Sequence, residues 1–151
     1  ESFVRCSSEL PFFSGAQMAV NYVRSGALGT IRHIDAHFDA AVADTGEELR
    51  YLREVGGGAL WDLGTYPLHW IRSALDTDWH VARTTQRRHA GGADIATEAH
   101  LVAPGGATAR LACAMDADFA ATLTVAGDRR TMKERAAFFA LGALWRELVK
   151  G

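Results

Sequence analysis

The clearest alternation in the chain runs over residues 30–40. Ile34, Ala36, Phe38 and Ala40 fall on one side, and His33, Asp35, His37 and Asp39 on the other. A period of two predicts a half-buried strand. Ahead of it, Ser14 and Gln17 have the spacing of a capping box. The pattern from there predicts a helix to about Arg24, with Met18 and Tyr22 inward, Ala19 and Val23 beside them, and Gly26 as a left-handed cap. Residues 41–55 read as a charged connection with a short helix over 47–54. Residues 56–75 open on three glycines and then turn helical. Leu68, Ile71, Ala74 and Leu75 share their apolar side, while Asp62, Tyr66, His69 and Ser73, spaced i, i+4, i+7 and i+11, form a narrow polar stripe. Gly64 and Pro67 predict a kink, or two helical pieces meeting, near residues 63–67, because a mid-helix proline costs about 3 kcal/mol.

Beyond the Asp76-Thr77-Asp78 turn the pattern predicts an antiparallel meander of strands at 79–88, 94–103, 107–117 and 119–127. Ala90-Gly91-Gly92 and Pro104-Gly105-Gly106 supply turns. Leu111, Cys113, Met115, Leu123 and Val125 lie on one face, with Thr108, Arg110, Thr122 and Thr124 opposite. Residues 132–150 return to a helical period and predict a terminal helix. Together these elements predict one α+β domain over residues 1–151: a two-layer sandwich, a mostly antiparallel sheet with helices on one face.

Composition narrows the function classes. Apolar residues make up 48% of the chain, enough for a packed core, and 16 basic against 18 acidic residues leave no electrostatic footprint for nucleic acid or an anionic membrane. No apolar run has transmembrane length, no signal-peptide pattern is present, and the two cysteines lack metal-ligand spacing. A cytoplasmic protein is expected, with Cys113 a buried thiol. The His/Asp strand face invites a metal reading. Same-face neighbours on a strand are about 6.5–7 Å apart, whereas ligands converge about 2 Å from a metal, so one strand cannot form the site and no metal is expected.

The polar stripe carries the candidate chemistry. A carboxylate, a phenol and an imidazole on one helical face bind hydroxyls and move protons. The same spacing also suits a face that simply meets water. Three glycines before a helix fit a backbone passing close to a ligand, and a helix N-terminus attracts anionic or hydroxyl-rich groups; a flexible loop tip is the plainer alternative. Arg50 and Arg53 stand within reach of a ligand there.

The stretch GGGALWDLGTYPLHWIRSAL, residues 56–75, resembles the signature in the C-terminal domain of the Gfo/Idh/MocA (glucose–fructose oxidoreductase / inositol dehydrogenase) oxidoreductases. NYVRSGALGTIRHIDAHF, residues 21–38, resembles that family's helix, glycine turn and first strand. The resemblance covers residues 1 to about 130. It implies a glyceraldehyde-3-phosphate-dehydrogenase-like C-terminal domain fold, NAD or NADP as the family's cofactor, and a sugar, polyol or related secondary alcohol as substrate. By the same resemblance Asp62 and Tyr66 are the catalytic pair: Tyr66 handles the alcohol proton and Asp62 holds a hydroxyl or orients its neighbours. His69, Gly57, Gly58 and Arg50 are the candidate substrate contacts.

The family places a G-x-G-x-x-G loop and a Glu-Lys-Pro motif on a preceding nucleotide-binding domain. Neither occurs here, and the lysines are Lys133 and Lys150 alone. The chain by itself is therefore expected to bind no NAD(P). Three readings stay open: the substrate and dimerisation half of an oxidoreductase, truncated and without redox activity of its own; a stand-alone sugar- or polyol-binding module; and a structural dimerisation module. A homodimer through the open face of the sheet is expected.

Overall fold

The computed structural model describes residues 14–135. Its elements are α1 (Ser14–Arg24), β1 (Ile31–Asp39), two 3-10 turns (Leu49–Tyr51 and Arg53–Val55), α2 (Ala59–Asp62), α3 (Thr65–Ala74), β2 (His80–Arg88), β3 (Asp94–Val102), β4 (Thr108–Ala114), β5 (Ala120–Gly127) and β6 (Thr131–Arg135). The strands form one sheet in the order β2-β3-β4-β1-β5-β6. β1 runs parallel to β4 and antiparallel to β5, and every other pairing is antiparallel. This is the expected α+β sandwich, with one topological correction. The meander is interrupted, because β1 lies between β4 and β5. Local periodicity cannot show this, since it reports which face a strand buries and not which neighbour it chooses.

Alternation decides the core. Ile34, Ala36 and Phe38 of β1 stand in register with Ala109, Leu111 and Cys113 of β4, and with Val125, Leu123 and Ala121 of β5. All nine are buried. Burial pushes the Cys113 thiol up to about 12. α3 lies across β1, β4 and β5, α2 lies over β3, and α1 packs against α3. β2 lies at the edge of the sheet, and all nine of its residues are exposed.

Three expectations about helices need correction. In α1 the inward residues are Ala19 and Val23, whereas Met18 and Tyr22 are 72% and 41% exposed. The two pairs occupy adjacent arcs. The approach of α1 to α3, where Arg24 Nε donates to the Ser73 carbonyl at 3.3 Å, selects the arc with smaller side chains. In α3 the core face is Pro67, Trp70, Ile71 and Ala74, and Leu68 turns out to solvent. The helix expected from residue 132 is a strand at its start: β6 pairs with β5, with Met132 opposite Val125 and packed on the core. The free edge of β5 and a turn closed by the Gly127 N–H on the Arg130 carbonyl (2.9 Å) outweigh local helical period. The rest of that expected helix lies outside the described residues, as does Cys6.

The face of the sheet away from the helices is polar and largely satisfied within the chain. Arg110 donates to Asp35 Oδ2 (3.2 Å) and, through Nε and Nη2, to Glu98 Oε2 (3.0 and 2.6 Å). The Arg110 guanidinium holds the Glu98 carboxyl below its usual range, assisted by His100 at 2.8 Å. A shallow concavity of about 280 Å³ opens here, with Ala96, Ala112 and Ala114 among its lining and His37, Glu98 and Arg87 around it.

Candidate functional site

The glycine-opened segment folds as two short helices. Leu63 and Gly64 separate them, and their N–H groups both reach back to the Ala59 carbonyl (2.8 and 2.9 Å). A Cβ on Gly64 would sit 2.7 Å from the Leu60 carbonyl oxygen, so the junction accepts no side chain. Pro67 then occupies the first turn of α3, where its missing N–H has no intrahelical acceptor to lose. The break relieves the proline rather than bending around it.

Two of the three glycines have reasons in the chain's own packing, and the first, Gly56, closes the Arg53–Val55 turn at φ 84°. A Cβ on Gly57 would meet the carbonyl oxygens of Leu49, Arg50 and Leu52 at 2.5–2.7 Å. Gly58 has φ 145°, and a Cβ there would lie 2.2 Å from Asp94 Oδ1. That carboxylate caps α2: Asp94 Oδ2 accepts from the Leu60 N–H (2.9 Å) and from the Thr97 hydroxyl (2.6 Å). The helix end that the sequence offered to an anionic ligand already holds an internal anion.

Asp62 ends α2, half-buried, and its carboxylate lies 3.6 Å from Arg50 Nη1. Arg50 is oriented by a two-pronged contact with Glu48, Nε to Oε1 at 2.9 Å and Nη2 to Oε2 at 3.0 Å. That hydrogen bonding drives the Glu48 carboxyl down to about 2 and the Arg50 guanidinium up. Two of the expected site residues, Asp62 and Arg50, are thus brought together. Tyr66, in the first turn of α3, stacks on Phe38 with ring centroids 4.5 Å apart and planes inclined by 14°. Trp70 and Phe119 complete an aromatic cluster around Phe38. His69 is half-buried, and burial, with Arg72 second, lowers its pKa.

A concavity of about 170 Å³ opens beside Gly57, between α2 and β2. Its walls include Arg53, Trp61, Arg88 and Asp94; Asp62, Tyr66 and His69 are not among them. Trp61, one position from Asp62, was not singled out by sequence reasoning. Trp61 is 74% exposed while Trp70 is 4% exposed, a contrast that periodicity could have flagged: Trp61 lies off the apolar arc.

The sequence profile of the GFO/IDH/MocA C-terminal domain matches residues 16–133. A dTDP-3,4-didehydro-2,6-dideoxy-alpha-D-glucose 3-reductase from Streptomyces antibioticus is 32% identical over 118 residues, which are 77% of this chain and 35% of that protein. The enzyme of the same name from Streptomyces violaceoruber is 30% identical over 112 residues, 73% of this chain and 32% of its own length. The chain thus spans about a third of the curated relatives it matches. Among solved structures, a 3-ketoreductase from Actinomadura kijaniata, in complex with NADP and TDP-benzene, superposes with a TM-score of 0.76 at 24% identity, over 85% of this chain and 40% of that one. An aldose-aldose oxidoreductase from Caulobacter crescentus, complexed with glycerol, gives 0.78 at 23%, over 87% and 40%. These likenesses establish the fold. With its profile matched over residues 16–133, its six-stranded sheet and the Gly56–Leu75 signature in place, the chain belongs to the GFO/IDH/MocA family through that family's C-terminal domain.

Proposed function

We propose that this chain is the substrate-binding and dimerisation half of an NAD(P)-dependent oxidoreductase acting on a sugar, polyol or related secondary alcohol, with a nucleotide-linked sugar as the favoured substrate. The observation that carries the reading is the α2–α3 junction. There Arg50 fixes the Asp62 carboxylate, and one helical turn on, Tyr66 is held flat against Phe38. In this reading the Tyr66 hydroxyl exchanges a proton with the oxygen at the reacting carbon, and Asp62 accepts a hydrogen bond from a neighbouring sugar hydroxyl. A phenol with an ordinary pKa near 10 needs a cation beside it to do this at neutral pH. The relatives' names support the nucleotide-linked sugar.

The described residues do not fit a dinucleotide. Gly57 and Gly91 press on backbone carbonyls of the chain itself, and Asp94 fills the helix end behind the glycines. The glycine run and the helix end behind it leave no room for a dinucleotide's phosphates, and in this reading NAD(P) chemistry belongs to a nucleotide-binding partner domain. A homodimer, in this reading, forms through the open sheet face, where Arg110, Asp35 and Glu98 are already paired within one chain.

Calorimetry of the 151-residue chain with sugar nucleotides and polyols tests the reading. Binding is expected, Asp62→Asn should weaken it about tenfold through loss of a charged hydrogen bond, and the chain alone should not oxidise NADPH. Absence of binding to every ligand, or an Asp62→Asn affinity equal to wild type, removes it.

A further inference from the structure

We propose that the concavity between α2 and β2 is a nucleoside-diphosphate subsite, in which Arg53 and Arg88 hold phosphate and Trp61 stacks on the base. Both arginines are anchored at one turn. Arg88 Nη1 donates to the Gly92 carbonyl (3.0 Å) and Nη2 to Gln86 Oε1 (2.7 Å). Arg53 runs its stem past the same glycine: its Cβ and Cδ lie 3.4 and 3.7 Å from where a Gly92 Cβ would stand. Arg88's partners are neutral, and the Arg53 guanidinium meets no hydrogen-bond or ion-pair partner among the described residues. Elsewhere Arg50 is paired with Glu48, Arg87 with Asp116, and Arg110 with Asp35 and Glu98. The one carboxylate in the wall, Asp94, is committed to the Leu60 N–H and the Thr97 hydroxyl. Two guanidinium groups in the wall of one recess, neither ion-paired with a carboxylate, are a phosphate-binding arrangement.

Trp61 supplies the second half. Its indole lines the recess and is 74% exposed, a large apolar surface left to water unless a flat partner covers it. A base stacked on it and phosphates at the arginines describe a nucleoside diphosphate. The volume of about 170 Å³ is that of a subsite, not of a whole sugar nucleotide. Asp62 follows Trp61 on α2, and Arg50 precedes Arg53 by one 3-10 turn, so the recess adjoins the proposed sugar site. The inference rests on the reading above for the sugar end; the nucleotide end stands on these side chains.

TDP, which carries no sugar, isolates the subsite. Titrated into the 151-residue chain, it should quench Trp61 fluorescence and bind more tightly than NADP or inorganic pyrophosphate. Arg53→Gln and Arg88→Gln should each weaken it about tenfold, the loss of a charge-assisted contact, and Trp61→Ala about fivefold or more. Circular dichroism of each variant should match wild type. Asp62→Asn should leave TDP affinity unchanged. No TDP binding at millimolar concentration, arginine variants that bind as wild type, or NADP binding as tightly as TDP would each overturn the proposal. If TDP binding survives while Asp62→Asn leaves sugar binding untouched, the sugar-site reading fails and this one stands.

Discussion

Gly58 shows how one position can be recognised for one reason and needed for another. The glycine run is legible in the sequence as a place where a backbone approaches something. That something is Asp94, thirty-odd residues away along the chain, and no local pattern names it. Gly58→Ala would set a Cβ 2.2 Å from the Asp94 carboxylate at φ 145°, in a backbone region that is essentially glycine's own. It should therefore cost about 1–3 kcal/mol from backbone strain, and more if the cap is lost. Urea denaturation would read this as a lower midpoint at constant slope. Asp94→Asn, which keeps an oxygen for the Leu60 N–H, should be milder than Asp94→Ala. The spacing of four between Asp62 and Tyr66 was legible in the sequence by contrast, as was a kink or break near Pro67, and the helix does divide between them.

At the scale of elements, the division between α2 and α3 changes what Pro67 does. In an unbroken helix its replacement by alanine would recover about 3 kcal/mol. In the first turn of α3 the N–H it lacks has no partner to lose, so Pro67→Ala should shift stability by no more than about 1 kcal/mol either way. Thermal denaturation separates the two outcomes. The strands were legible within a residue or two wherever alternation was clean, as at Ile34, Ala36 and Phe38. β6 was not, because Thr131–Arg135 is too short for its own period to outweigh the helical pattern that follows it. The face of α1 was misread for a related reason: Met18 and Ala19 differ by one helical step, and only the position of α3 decides between them. β2, wholly exposed at the sheet edge, carries Arg83, Arg87 and Arg88, charges that discourage edge-to-edge aggregation.

For the whole molecule, the open sheet face is the surface on which the proposed dimer depends. Its charges are already paired within one chain, Arg110 with both Asp35 and Glu98. A two-fold contact would then be made by the threonines and the alanine floor, and should bury more than about 1,200 Å² in total. Thr124→Arg should break it without leaving a carboxylate unpaired, whereas Arg110→Glu would also disturb the monomer. Light scattering should give about twice 16.3 kDa for the wild type and 16.3 kDa for Thr124→Arg; the smaller mass for the wild type would rule the dimer out. The place of β1 in the sheet has another consequence, in time rather than space. His33 faces Thr108 on one side and Ala126 on the other. A ribosome adding about 5–20 residues per second takes roughly 4–15 s to travel from β1 to its first partner. Over that interval the β2–β3–β4 hairpins can close locally, while Ile34, Ala36 and Phe38 wait with nothing to pair with. β1, the first strand of the described sheet, thus takes its place only after β2, β3 and β4, and β5 and β6 can be added only beside it once it is there.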